Sequence, residues 1–136
     1  MIIIDTALRK RHEADNPVRV AMVGAGYMAR GIALQFLTAV KGMRLVGVAN
    51  RTVEQAQRCY SQAGALAEVA GNSVAAIEGL IEKRRYVVTD DLLALCRASN
   101  VDAIIEATGD VEIGAQVALE ALRHGKHVIL MNAEVD

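Results

Sequence analysis

The chain has 136 residues, 53% of them hydrophobic and 23% charged, with a formal net charge of -1. That is enough for one domain with a buried core and too apolar for a disordered chain, while the near-neutral balance offers no field to attract nucleic acid or an anionic membrane. No apolar stretch reaches the roughly 20 residues of a spanning helix, and Cys59 and Cys96 fall in no C-x-x-C or Cys/His cluster that would hold a metal.

Residues 1–17 read as a preamble. Met1-Ile2-Ile3-Ile4 is too short for a signal-peptide core and charges follow at once, so a cytoplasmic location is expected. A short charged helix over 5–14 stops at Asn16-Pro17. Its Arg9-Lys10-Arg11 run is flanked by Asp5, Glu13 and Asp15 and reads as a solvated face rather than a nucleic-acid contact.

The main domain is expected over 18–136. Val18–Val23 is an apolar run of strand length that stops at Gly24. Gly26 and Ala29 complete a G-x-G-x-x-A loop, and an amphipathic helical pattern runs on from 27 to 40. In strand–turn–helix context this is the dinucleotide-binding fingerprint. Gly24 permits the tight turn, Gly26 lets the backbone approach a pyrophosphate, and Ala29 lets helix and strand pack closely. The first free N–H groups of the helix, at Tyr27 and Met28, supply donors at its positive end.

Residues 45–49 form a second short strand. Asn50-Arg51-Thr52 leaves it, and Thr52 with Gln55 has the spacing of a capping box. An acidic residue at the end of this strand would accept hydrogen bonds from the adenosine ribose and repel a 2′-phosphate. Here Asn50 is neutral and Arg51 follows, a cation whose charge-assisted bond to a phosphate is worth roughly 1.5–3 kcal/mol. NADP is therefore expected in preference to NAD.

Residues 65–85 read as an insertion, with Ser73 as the N-cap of an extra helix. Tyr86-Val87-Val88 is a third strand, short enough for a sheet edge, and Thr89-Asp90-Asp91 caps a helix reaching Arg97. Residues 101–107 form a fourth strand, closed by Thr108-Gly109. Glu106-Ala107-Thr108-Gly109 is a third candidate contact turn, whose small residues leave room for the nicotinamide-side ribose; Glu106 is alternatively just a strand-end charge facing solvent. A helix over 111–123 and a fifth strand over 127–131 follow. Beyond it, Asn132 is a candidate for the ribose or carboxamide and Glu134 a candidate catalytic base. His12, His124 and His127 form no constellation.

Strands that alternate with helices five times over demand a parallel sheet. The expected fold is α/β, a Rossmann-type doubly wound sheet of order 3-2-1-4-5 with a helical insertion before strand three. An open edge at the fifth strand is a surface on which a second copy can pair, so a homo-oligomer stays open.

Taken together, residues 24–31, 42–52, 89–97, 106–109 and 124–136 resemble the cofactor domain of the homoserine-dehydrogenase-like family. More narrowly they resemble its branch fused to an SAF domain, which includes the 1-deoxy-D-xylulose 5-phosphate reductoisomerase-like enzymes of isoprenoid synthesis. The most specific stretch is 124–136, His-Gly-Lys-His-Val-Ile-Leu-Met-Asn-Ala-Glu-Val-Asp. The resemblance implies NADP(H)-dependent oxidoreduction of a small polar or phosphorylated substrate. Two departures stand out: homoserine dehydrogenases carry Asn-Lys where this chain has Asn132-Ala133, and the third fingerprint glycine is Ala29. The family's catalytic and SAF domains have no counterpart here, so a truncated oxidoreductase is expected, its small-molecule substrate bound by a missing domain. The alternatives are a stand-alone nucleotide-binding or redox-sensing module, a homoserine dehydrogenase-like enzyme, and a flavodoxin-like or S-adenosylmethionine-binding domain.

Overall fold

A computed structural model describes residues 3–131. The elements in chain order are α1 (Ile3–Glu13), β1 (Val18–Val23), α2 (Tyr27–Thr38), β2 (Met43–Ala49), α3 (Val53–Ser61) and β3 (Ala67–Val69), followed by α4 (Val74–Glu82), β4 (Tyr86–Thr89), α5 (Ala94–Arg97), β5 (Ala103–Glu106), α6 (Val111–Arg123) and β6 (His127–Leu130). The six strands pair in parallel in the order β3-β4-β2-β1-β5-β6.

Strand alternation sorts the core into two layers. Val20 and Met22 of β1 point to one face, where Ala29 and Ala33 of α2 and Ala56 and Tyr60 of α3 cover them. Ala21 and Val23 point to the other, beneath Ile77 of α4, Leu95 of α5 and Val117 of α6. Each fully buried Val, Leu or Ile contributes roughly 1.5–3 kcal/mol. The register of β1 on β2 skips one residue between Val20 and Ala21, beside Gly47. A Cβ at Gly47 would stand 2.8 Å from Leu95 Cδ2, so this glycine admits the leucine that anchors α5.

The expected Rossmann core is present, with three local corrections. Tyr86–Thr89 is not the sheet edge, because the stretch read as a helical insertion contains β3, which pairs outside it. The Thr89 hydroxyl donates to the Gly71 carbonyl and ties the β3–α4 loop to β4. The helix after Thr89 shrinks to the single turn of α5. Thr89 and Asp91 instead accept from the Asp91 and Leu93 N–H groups at 3.1 and 3.0 Å, building turns. Ser73 does cap α4, accepting from Ala76 N–H at 3.2 Å. Thr52 makes no side-chain cap on α3. Its expected partner Gln55 accepts from Asn50 Nδ2 instead.

Candidate cofactor-binding site

Chain order reverses between β1 and β5, and at the carboxyl ends of such strands a doubly wound sheet leaves a crevice. Here the crevice is a cleft of about 380 Å³, walled by the loops after β1, β2 and β5. Gly24, Gly26, Asn50, Arg51, Thr52, Ala107 and Thr108 all line it. Residues spread over more than 80 positions of sequence therefore meet at one place, as the strand-end argument requires.

The two glycines of the first loop do different work. Gly24 has φ +114, and a Cβ there would stand 2.3 Å from the Ala107 carbonyl oxygen. It is the residue that lets the β1 loop pass against the end of β5. Gly26 is extended, and a Cβ built on it meets nothing within 4 Å. The space above Gly26 is thus open at the start of α2, where no side chain caps the helix. The first intrahelical bond is Arg30 N–H to Gly26 O at 3.0 Å, so the N–H groups of Tyr27 and Met28 have no helical acceptor. Both side chains are exposed on that first turn, while Ala29 is buried against the sheet and allows the close packing expected of it. An open cradle with unanswered donors and the positive end of a dipole fits a pyrophosphate.

At the second wall, Asn50 donates through Nδ2 to the Thr52 carbonyl at 3.0 Å and to Gln55 Oε1 at 3.2 Å. With its amide nitrogen engaged, what Asn50 offers a ligand is Oδ1, an acceptor. Arg51 is exposed at the rim.

The third wall is the β5–α6 turn. Gly109 has φ +72 there and supplies the turn, one residue beyond Thr108, which lines the cleft. Asp110 lines the cleft, but its Oδ1 accepts from Ile113 N–H at 2.9 Å and caps α6. Glu106 is not a solvent-facing charge. It is fully buried, with Oε1 accepting from the Thr108 N–H at 2.9 Å and the Thr108 hydroxyl at 2.5 Å. Asn132 and Glu134 lie outside the described residues.

Sequence reading missed Gln55, Leu92, Asp110 and Ile113 as cleft residues. Gln55 carried a signal in its spacing from Thr52, which was read as a cap. Leu92 and Ile113 carried none, being apolar residues in helical patterns. Among the described residues there is no His/Cys/Asp/Glu group able to hold a metal ion, and no helix long and apolar enough to cross a membrane.

Residues 18–130 match the GFO/IDH/MocA oxidoreductase family, NAD-binding Rossmann fold. The chain belongs to that family. No curated protein matches it in sequence. Among solved structures it is similar to scyllo-inositol dehydrogenase from Lactobacillus casei with bound NAD(H) and scyllo-inositol, at 16% identity and a TM-score of 0.61 over 84% of this chain and 27% of that one. Myo-inositol dehydrogenase from the same organism, in complex with NAD(H) and myo-inositol, gives 20% identity and a TM-score of 0.61 over 84% and 28%. A 3-ketoreductase from Actinomadura kijaniata, in complex with TDP-benzene and NADP, gives 25% identity and a TM-score of 0.59 over 85% and 30%. The chain thus spans under a third of the length of these structures, and the two inositol enzymes speak for the fold alone.

Two expectations are corrected. The resemblance to the homoserine-dehydrogenase-like family and its SAF-fused, reductoisomerase-like branch is overturned by the family match, and with it the isoprenoid assignment. The strand–loop–helix fingerprint is common to many dinucleotide-binding families, and the stretch taken as most specific runs into the residues outside the description. The preference for NADP over NAD falls as well. The matching family is described as NAD-binding, and of the structures named above the two inositol dehydrogenases hold NAD(H) while the ketoreductase holds NADP, so NAD is at least as well supported.

Proposed function

We propose that this chain forms the cofactor half of a dehydrogenase that moves a hydride between NAD(H) and a secondary hydroxyl or ketone of a sugar- or polyol-like substrate. One observation carries the reading: the open cradle at Gly26, over an uncapped helix start, at the switch point of the sheet. The inositol dehydrogenases and the ketoreductase supply the substrate class by analogy of family.

Within this reading the N–H groups of Tyr27 and Met28 hold the pyrophosphate, Asn50 Oδ1 accepts from the adenosine ribose, and Thr52 and Arg51 border that ribose. The backbone of Ala107 and Thr108 borders the nicotinamide side. The bound dinucleotide supplies the hydride acceptor or donor. The described residues bind and orient it, and the one carboxylate lining the cleft, Asp110, is engaged at the α6 cap.

Titration calorimetry with NADH, S-adenosylmethionine and FMN tests the cofactor, and NADH production from NAD with a panel of cyclic polyols and sugars tests the substrate class. Saturable NADH binding with oxidation of at least one polyol is the expected result. Binding of S-adenosylmethionine or FMN in place of NADH would overturn the assignment.

A further inference from the structure

Glu106 is a fully buried carboxylate in the wall of a cleft that it does not itself line. Its Oε1 accepts from the Thr108 backbone N–H at 2.9 Å and from the Thr108 hydroxyl at 2.5 Å, a much shorter contact than the 3.3 Å from that hydroxyl to its other acceptor, the Asp110 carbonyl. Its Oε2 is buried without a hydrogen-bond partner among the described residues. The carboxylate fits there only because α6 presents a glycine to it: a Cβ on Gly114 would stand 2.9–3.0 Å from its carboxylate atoms. From Thr108 the chain of bonds continues outward. The Thr108 hydroxyl oxygen accepts from Asp110 N–H at 3.2 Å, and Asp110 in turn caps Ile113.

Burying a carboxylate with one oxygen unanswered is costly, and an apolar residue in its place would pack without that penalty. What an apolar residue cannot do is hold Thr108. A surface turn fixed only by its own backbone samples many shapes, whereas a charged acceptor taking two donors from one residue leaves it few. The arrangement also commits the Thr108 hydroxyl proton inward, so the turn presents its backbone, not that proton, to the cleft. We infer that Glu106 is a positioning residue for the cofactor, holding the turn 107–110 in the shape that receives the nicotinamide-side ribose without touching it. This rests on the cofactor reading above.

The test compares Glu106→Gln, Glu106→Ala, Thr108→Val and the Glu106→Ala/Thr108→Val pair in the full protein, by NADH titration and by amide hydrogen exchange. Glu106→Gln keeps a carbonyl acceptor for Thr108, so NADH affinity should stay within about threefold of wild type. Glu106→Ala should weaken it by about tenfold or more, and the double variant should bind no worse than the weaker single one, because both remove one interaction. Exchange at the Thr108 and Asp110 amides should quicken in Glu106→Ala and not in Glu106→Gln. If Glu106→Ala does not fold, Gly114→Ala takes its place, since its methyl displaces the carboxylate while favouring the helix. Wild-type affinity in Glu106→Ala, additive losses in the pair, or equal losses in the Gln and Ala variants would overturn the inference. A wild-type protein that binds no NADH would overturn the cofactor reading, and unchanged exchange in Glu106→Ala would overturn the positioning role separately.

Discussion

The two ends of the sheet treat polar groups in opposite ways. At the amino ends of the strands several are consumed internally, although Asn100 Oδ1 is buried without a partner among the described residues. The buried Tyr60 hydroxyl donates to Leu45 O at 2.7 Å, and its ring stacks on Tyr86 at 4.8 Å between centroids. Arg44 lies 4.1 Å over the Tyr86 ring and donates to its hydroxyl and to the Arg84 carbonyl. Lys126 buries its ammonium against the carbonyls of Ala98 and Val101. At the carboxyl ends the donors of α2 and the acceptor of Asn50 are left toward an open cleft.

Strain also divides between the ends, against the usual expectation that it marks function. Among the described residues, the two non-glycine positions with left-handed backbone are Asp15 and Arg84, with φ of 54° and 61°, and both sit at the closed end. They bind each other, Arg84 Nη1 to Asp15 Oδ1 at 2.8 Å, so the strain there ties the α1 preamble to the α4–β4 turn. At the cleft end the left-handed positions are glycines, Gly24 and Gly109 among them, whereas the closed end has glycines, Gly42, Gly64 and Gly125, beside the two strained residues. A glycine carries no strain at such angles, and leaves the ligand space clear.

The largest effects should separate those two roles within a single loop. Gly24→Val places a side chain into the Ala107 carbonyl at a left-handed angle and should cost about 3 kcal/mol or more in urea unfolding, with binding lost alongside. Gly26→Ala meets open space at an ordinary φ and should cost about 1 kcal/mol or less. Yet its methyl enters the cradle, so NADH affinity should fall by about tenfold or more. A Gly26→Ala protein that binds NADH as wild type does would erase the contrast between the ends.

The same contrast explains what the sequence disclosed. Strands buried on both faces announce themselves as apolar runs, so β1, β2, β4 and β5 and the Gly24–Ala29 loop were legible, and the half-exposed edge strand β6 was legible through its apolar Val128-Ile129-Leu130. The edge strand β3 was not, because Ala67-Glu68-Val69 is partly exposed and is held by backbone pairing to β4. Glu106 was misread because alternation gives the face a residue points to. It cannot reveal that Gly114, on another element, opens a space for a carboxylate there. Asn50-Arg51 was read by charge alone, and charge does not show that Gln55 and Thr52 occupy the amide nitrogen. The family was the least legible level, since short loop motifs recur across dinucleotide-binding families and only a match along 18–130 separates them.

At the closed end the effects should touch stability and spare the site. Tyr60→Phe removes a buried donor and leaves the Leu45 carbonyl unanswered by it, which should cost about 1 kcal/mol in urea unfolding. NADH affinity measured on the folded fraction should not change. A parallel loss of affinity would show that the two ends are coupled through β2.

At alkaline pH two buried groups pull in opposite directions, so their effects partly cancel in the wild type. Burial pushes the Cys96 thiol from 9.0 up to about 12. Its contribution to stability is whole below pH 9.0 and drains away as pH climbs toward 12, because only the unfolded chain releases the proton in that interval. Burial pushes the Lys126 ammonium below 10.5, so there the unfolded chain keeps its proton longer and the contribution of Lys126 rises with pH until 10.5 is passed. Unfolding midpoints between about pH 8 and 11 should therefore fall less steeply in Cys96→Ala than in wild type, and more steeply in Lys126→Met. Both groups lie away from the cleft lining, so NADH affinity of the folded protein should not follow either slope. Three parallel slopes would mean that neither group is shielded from water as its burial requires, and the closed end would then be no more closed than the cleft.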